Sequence, residues 1–323
     1  MRKNFVSIIL PAYNAESTIP RVIRSLLQQT FINFELIIIN DGSTDNTLLE
    51  VLKFKDTRIK TFTYKKNKGI SYALNYGISK SAGDYIARAD ADDFCSKSRL
   101  MKQVVFLDKN LEYDICGTFQ IILKNKSKYQ SSTAVTHKEI LSSLVFGPTM
   151  KHSTIMFRRS CLNIFGHNVY RKRFLLCEDY DLWVRLSKTS KFYNLPYYSV
   201  EYDWSKPKLW EKENSRLRSN LKSIYNQTLN NLFYYKAGKN SVDIHFALLT
   251  GNFAEINYIG RLFLLPLHTL SIIIHLAVRK NYSLLFGLKI LTYYYALNVF
   301  PILFGKDLAF YFTNHFKKKS FLK

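Results

Sequence analysis

Only four cysteines occur in 323 residues, Cys95, Cys116, Cys161 and Cys177, and none stands at the close paired spacing of a zinc or redox motif. They read as reduced, buried thiols, which excludes a disulfide-stapled or cysteine-zinc scaffold. Acids are scarce as well: 24 Asp and Glu against 47 Lys and Arg leave a formal charge of +23. Such a surplus favours anionic partners, whether nucleic acid, anionic lipid or a phosphorylated substrate. The interleaved basic and aromatic signature of a nucleic-acid module is missing, so no nucleic acid is expected as a partner. No leader is visible, because Met1-Arg2-Lys3-Asn4 runs directly into an apolar stretch without a small-residue cleavage site, and the chain is expected to stay in the cytoplasm. Internal repeats and low-complexity tracts are absent too. What is plentiful is apolar: 47% hydrophobic residues, with 22 Tyr and 24 Phe concentrated towards the C-terminus. That is enough for one large α/β domain, or for a domain of about 200 residues with an appendage.

The first 120 residues alternate strand-like and helix-like runs, the pattern of a parallel sheet with crossover helices. Val6 to Leu10 reads as a strand ended by Pro11. A helix follows, with Ser17 or Thr18 as N-cap, Pro20 in its first turn and Ile19, Val22, Ile23, Leu26 and Leu27 at helical spacing. Leu36 to Ile39 is fully apolar, as expected of a strand buried on both faces. Further elements are expected as a helix from about Asp45, a strand over Ile59 to Tyr64, a helix over Ser71 to Ser79 and a strand over Tyr85 to Ala87. Later signals are a strand over Ser153 to Phe157 and helices over Ile140 to Phe146, Asp179 to Leu186 and Trp210 to Ala237. Polar residues gather after the strand ends. Ligands of open α/β sheets bind beyond the carboxyl ends of the strands, so Asp41 and the cluster from Asp90 to Asp93 are expected to share one crevice.

Asp90, Asp92 and Asp93 lie within four residues, where mutual repulsion is costly without a cation or positive side chains. Magnesium or manganese suits such a cluster, because it takes one or two protein carboxylates and fills its other positions with water and substrate phosphate oxygens. Alone, an acidic turn of this kind is as readily a solvated surface feature.

Its context changes that reading. Pro11-Ala12-Tyr13-Asn14, Asn40-Asp41-Gly42-Ser43-Thr44-Asp45, Asn67-Lys68-Gly69, Ala73-Leu74-Asn75-Tyr76-Gly77, Gly83 to Asp93 and Glu178-Asp179-Tyr180-Asp181-Leu182-Trp183 follow one another in order. With these motifs the chain, from Phe5 to Lys188, closely resembles the family 2 glycosyltransferases of the GT-A fold. The resemblance implies an α/β fold with a mostly parallel sheet and flanking helices, joined to a helical C-terminal region. It implies a domain over 1–205, with a nucleotide-binding half at 1–120 and an acceptor half at 121–205.

The resemblance also implies roles. Tyr13, beside Pro11, would cover a nucleobase and Asp41 would accept a hydrogen bond from it; the plain alternatives are loop packing and a turn cap. Asn67 and Gly69 would shape the sugar-phosphate side, with Lys66 or Lys68 either reaching phosphate or lying in solvent. Asp92 would be the metal ligand, with Asp90 and Asp93 contacting ribose, metal or sugar. Arg88 and Arg99 flank the cluster and are expected to hold it by ion pairs. His152 would contact diphosphate or acceptor, or be a structural histidine.

Asp179 would be the catalytic base, taking the proton of an acceptor hydroxyl as it attacks the anomeric carbon. The metal then stabilises the departing diphosphate in place of a second, acidic carboxyl group, and attack from the opposite face inverts the anomeric centre. Asp181 is expected to cap its helix or pair with Arg185 at i+4. No Q-x-x-R-W run follows Asp179, the motif of processive members, so transfer of a single sugar is expected. The partners implied are a nucleotide-sugar donor and a glycan or lipid-linked acceptor, as in polysaccharide assembly. The rivals are a nucleotide-sugar-binding protein without turnover and a basic nucleic-acid-binding protein.

Residues 206–323 are expected to form a helical, aromatic-rich region that associates with the membrane. Leu262 to Val278 and Leu284 to Phe304 are apolar but interrupted by Pro266, His268, His275, Lys289 and Pro301. They fall near the threshold for a spanning helix, and with Arg279, Lys280 and the Lys317 to Lys319 tail against anionic lipid they read best as helices lying in the interface or packing on the catalytic domain, the alternatives being an ordinary buried helical subdomain and a membrane hairpin. The expected location is therefore the inner face of the cell membrane.

Overall fold

A computed structural model describes residues 4–124, 127–144, 147–204 and 214–232. The C-terminal apolar runs and the basic tail lie outside these residues. The chain divides into two compact units, Met1–Val135 with Met150–Lys212, and Thr136–Thr149 with Glu213–Lys323.

The first unit is built on a nine-stranded mixed sheet. Its parallel half consists of β1 (Val6–Ala12), β2 (Phe34–Asn40), β3 (Ile59–Thr63) and β4 (Tyr85–Arg88), in the order β3-β2-β1-β4. Every residue of β2 is buried, as its unbroken apolar run requires, because helices cover both faces. On one face α1 (Ile19–Leu27) packs Ile19, Val22, Ile23 and Leu26 against Val6, Ile8 and Leu10 of β1 and Leu36 and Ile38 of β2. Burying each such side chain contributes on the order of 1.5–3 kcal/mol. On the other face lies α3 (Ile70–Lys80). A Cβ at Gly77 of α3 would come within 2.5 Å of Ile9 and 2.8 Å of Ile39, so glycine there permits the close approach of helix and sheet.

Thr18 is the residue before α1, but its hydroxyl bonds back to Ala15 O at 3.3 Å and does not cap the helix. Pro11 lies inside β1, which runs two residues beyond its expected end at Leu10. The Ile9 carbonyl accepts from Ala89 on the β4 side; alternation turns Pro11 towards the same side, where the ladder has ended at Ile9 opposite Arg88. The missing N–H therefore leaves no partner unsatisfied.

Beyond α2 (Thr47–Leu52) and α4 (Arg99–Lys109), the sheet is completed by β5 (Phe94–Cys95), β6 (Ile115–Lys124), β7 (Ser127–Ser131), β8 (Met156–Arg158) and β9 (Phe192–Asp203). β8 runs antiparallel between β4 and β6, while β9 runs parallel to β6 with register shifts around Phe119. The strand expected from Ser153 begins at Met156. His152–Thr154 is instead a turn of 3-10 helix, because the Thr154 hydroxyl bonds to Lys151 O at 2.8 Å and Ser153 Oγ accepts from Gln120 at 3.0 Å. Two short segments, α6 (Arg159–Leu162) and α7 (Glu178–Leu186), complete the described helices of this unit.

The second unit contributes α5 (His137–Leu144) and α8 (Asn214–Leu232). At the start of α5, Thr136 N–H donates to Glu139 and Glu139 N–H donates to the Thr136 hydroxyl, a reciprocal capping box.

Candidate active site

Because β1, β2 and β4 are parallel, their carboxyl ends open on one side of the sheet, and the loops there are tied to each other. After β1, Asn14 takes a left-handed conformation with φ 48°; its N–H donates to Ser43 and its side-chain oxygen accepts from Thr44 N–H. After β2, Gly42 has φ 71°. A Cβ there would fall 2.5 Å from the Lys66 carbonyl carbon and 2.6 Å from Asn67 N. Glycine thus lets the segment after β3 cross directly over the end of β2. That crossing brings the N–H groups of Lys68 and Gly69 onto the two carboxylate oxygens of Asp41, at 2.9 and 2.8 Å. Asp41 is consequently fixed and buried, while Tyr13 beside it is 50% exposed. Asn67 is exposed, and its neighbours rather than its own side chain hold Asp41.

At the end of β4 the acids separate by environment. Asp90 is ion-paired with Arg88, which is itself buried. Asp92 is half-buried. Asp93 is fully buried, and among the described residues neither of its carboxylate oxygens has a well-formed hydrogen bond. Burial, with the nearby charges of Asp90 and Asp92, pushes the Asp93 carboxyl well above the usual range, and Ser153 eases its charge only in part. Among the described residues no three His, Cys, Asp or Glu side chains gather as a ready metal cage. An acid cluster with a buried carboxylate whose charge is only partly met nonetheless fits a hard divalent ion that takes one or two carboxylates and completes its shell from water and phosphate. The expected ion pair from Arg99 is not formed. Its guanidinium donates to the carbonyls of Arg88 and Ile155 and to Gln103, bracing the turn through the backbone.

Asp179 opens α7. Three acids in the first turn suit the positive end of the helix, and the chain enters through Leu176 in the left-handed region at φ 71°. The three acids have three environments. Asp181, 1% exposed, receives Arg171 and Arg185, the latter at 3.0 Å, so it is structural, as the i+4 spacing to Arg185 implied. Glu178 is buried, and burial together with the Asp179 charge pushes its carboxyl up to about 7. Asp179 is half-buried, accepts from Tyr180 N–H at 2.7 Å and is raised by burial against the opposing charges of Arg88 and Lys151.

His152 Nε2 lies 2.9 Å from Tyr170 Oη, and its ring meets Trp183 edge-on at 6.0 Å. Burial, reinforced by Arg88, holds the imidazole well below its ordinary pKa and therefore neutral. Arg88 is the common element. Its charge acts on Asp90, Asp93, His152, Glu178 and Asp179, so the acid cluster and the start of α7 form one electrostatic site. Lys151 and Tyr170, which sequence reading did not single out, belong to it. The one available signal for Lys151 was its adjacency to His152.

Strand order and the acids beyond the carboxyl ends place this unit in the GT-A class of nucleotide-diphosphosugar transferases. Within that class the chain belongs to glycosyl transferase family 2, whose sequence profile matches residues 7–176. It is 34% identical over 211 residues to an uncharacterized glycosyltransferase of Haemophilus influenzae, a match spanning 61% of this chain and 64% of that protein's length. It is 36% identical over 185 residues to WfgD of Escherichia coli, a UDP-Glc:alpha-D-GlcNAc-diphosphoundecaprenol beta-1,3-glucosyltransferase, covering 57% of this chain and 70% of WfgD. Among solved structures, S. aureus TarS 1-349 in complex with UDP-GlcNAc superposes with a TM-score of 0.56 at 17% identity, covering 99% of this chain and 93% of that one. The mannosyltransferase PcManGT of Pyrobaculum calidifontis, in complex with GDP-Man and Mn2+, gives 0.56 at 16% identity, with 97% and 84% covered. These likenesses establish the shared fold.

Proposed function

We propose that the protein is an inverting glycosyltransferase that moves a single sugar from a nucleotide-sugar donor to a lipid-linked or membrane-proximal glycan acceptor. The observation that carries this reading is the joining, through buried Arg88, of the acid cluster after β4 to Asp179 at the start of α7. One part suits a diphosphate and its metal; the other suits an acceptor hydroxyl. Tyr13 and Pro11 would border the nucleobase, with Asp41 accepting from its edge through lone pairs left by Lys68 and Gly69. Asn67 and Gly69 would line the sugar-phosphate side. Asp92, helped by Asp90, would hold Mn2+ or Mg2+, with Asp93 behind them. When bound, that ion would supply charge neutralisation for the departing diphosphate. Neutral His152 would offer or accept a hydrogen bond at the same place, and Asp179 would take the acceptor proton. A lipid-diphosphate acceptor is supported by the likeness to WfgD, and a UDP-sugar donor by the likenesses to WfgD and TarS.

Screening nucleotide sugars by thermal shift with Mn2+ is expected to identify one donor that raises the melting temperature, and that donor should support transfer. Chelator is expected to abolish transfer and Mn2+ or Mg2+ to restore it. Full activity in chelator would remove the metal from the reading. No donor binding, with tight salt-sensitive DNA binding instead, would favour a nucleic-acid protein.

Membrane association is supported by the apolar C-terminal runs and the +23 charge. Among the described residues no helix is long and apolar enough to cross a membrane. The full chain is expected to sediment with anionic vesicles and to be released in part by salt; a chain that stays in the supernatant would take the membrane out of the proposal.

A further inference from the structure

From Thr57 to Gly83 the sequence contains no Asp or Glu but carries Arg58, Lys60, Lys65, Lys66, Lys68 and Lys80. This stretch folds into β3, which lies at one end of the strand order, and α3. Lys68, Tyr72, Tyr76 and Lys80 are spaced by four, so they form one stripe along α3 and its entry. Phe62 and Tyr64 of β3 and its continuation pack into that stripe: Phe62 meets Tyr76 at 5.4 Å, and Tyr64 meets Tyr72 and Tyr76 at 5.3 Å each. The lysines lie on the rings. Lys68 Nζ is 4.3 Å from the centre of Tyr64 and 4.5 Å from that of Tyr72, and Lys80 Nζ is 5.3 Å from that of Tyr76. Tyr72 is 39% exposed, and Lys65, Lys66, Lys68 and Lys80 are exposed.

We infer that this face of α3 and β3 docks on the anionic surface of a lipid bilayer. The rings meet edge to face and carry ammonium groups, which leaves little open flat area for the stacking that single-stranded nucleic acid uses. Arg58 is paired with Asp56 and Lys60 with Glu35, so what the face presents is the charge of Lys65, Lys66, Lys68 and Lys80 beside tyrosine rings, the combination suited to the headgroup layer of an anionic membrane. The face also adjoins the donor site, because the N–H groups of Lys68 and Gly69 are the ones that hold Asp41. Docked this way, the nucleotide side of the crevice lies close to the bilayer in which a lipid-linked acceptor is anchored. The inference rests on the proposal that the enzyme works at a membrane surface.

The full chain is tested for binding to vesicles of phosphatidylcholine with and without phosphatidylglycerol. Lys65 and Lys80 are the residues to change, since neither has been placed in the donor site. The double variant Lys65→Gln/Lys80→Gln is expected to bind phosphatidylglycerol vesicles roughly 25-fold more weakly, about five-fold per lysine. Lys65→Arg/Lys80→Arg should bind as the wild type does, and both variants should keep the donor-induced rise in melting temperature. Equal binding of the glutamine variant would overturn the inference while leaving membrane association in place through the C-terminal region. Equal wild-type binding to phosphatidylcholine alone would also overturn it, as would a loss of single-stranded DNA binding with vesicle binding unchanged. Vesicle binding that depends on these lysines in a chain that transfers no sugar would support the docking face and sink the glycosyltransferase reading.

Discussion

Asp179→Asn is expected to lower turnover by roughly 100-fold or more, the scale of losing a positioned general base, while folding and donor binding persist. Asn fills the same space and keeps an oxygen for the Tyr180 N–H that Asp179 now accepts, but it cannot take a proton. The effect should therefore appear in kcat and not in the donor-induced melting shift. Burial raises the Asp179 carboxyl. The base must be ionised to act, so the wild-type rate should decline on acidification at a higher pH than an ordinary aspartate would set. Glu178→Gln should cost less. Near-normal turnover of Asp179→Asn, with Glu178→Gln inactive, would move the base by one residue.

Two positions further along α7 the expected loss is of a different kind. Asp181→Ala removes a carboxylate that is 1% exposed and answers two guanidinium groups, Arg171 and Arg185. Arg185 is itself poorly exposed, and its charge would be left without its partner in a low-dielectric setting. Breaking a buried pair in this way costs about 3–5 kcal/mol, a large share of the roughly 5–15 kcal/mol that holds a domain together. Thermal unfolding should begin roughly 10 °C lower. A loss under about 1 kcal/mol would show that water reaches the arginines and that the pair is a surface interaction. The two substitutions would thus separate the proton transfer proposed for Asp179 from the helix anchoring at Asp181.

The parallel half of the sheet was legible because its information is local. The Leu36 to Ile39 run, the stripe of α1 and the Asn-Asp-Gly turn after β2 each declare their structure within a few residues. β6 and β9 were not legible. Their pairing joins Ile115 to Phe192 across a long stretch of chain and includes a register shift near Phe119, and Pro196 interrupts the pattern of β9. Ser153 and Thr154 were read as strand because Ser153 to Phe157 is apolar towards its end; hydroxyl bonds to Lys151 and from Gln120 decide the geometry, and only the fold supplies Gln120. In the site, the strand-end pattern picked out Asp41 and the acid cluster and i+4 spacing paired Asp181 with Arg185, whereas Asp179 was singled out only by the family resemblance. Spacing gave Arg88 and Arg99 the same role, whereas the structure directs Arg88 to the acids and Arg99 to backbone carbonyls. Which of two flanking arginines faces a carboxylate depends on the pleat and on what packs behind it, and neither is written in the motif.

Leu176 has a consequence beyond its place before α7. A leucine in the left-handed region carries on the order of 1–3 kcal/mol of backbone strain, and it leads directly into the buried residues Cys177, Tyr180 and Trp183. Glycine at this position would relieve the strain and is expected to raise the melting temperature, while loosening the turn that leads into Asp179, the proposed base. Stability and the placement of the proposed base are therefore expected to respond in opposite directions to a change at residue 176.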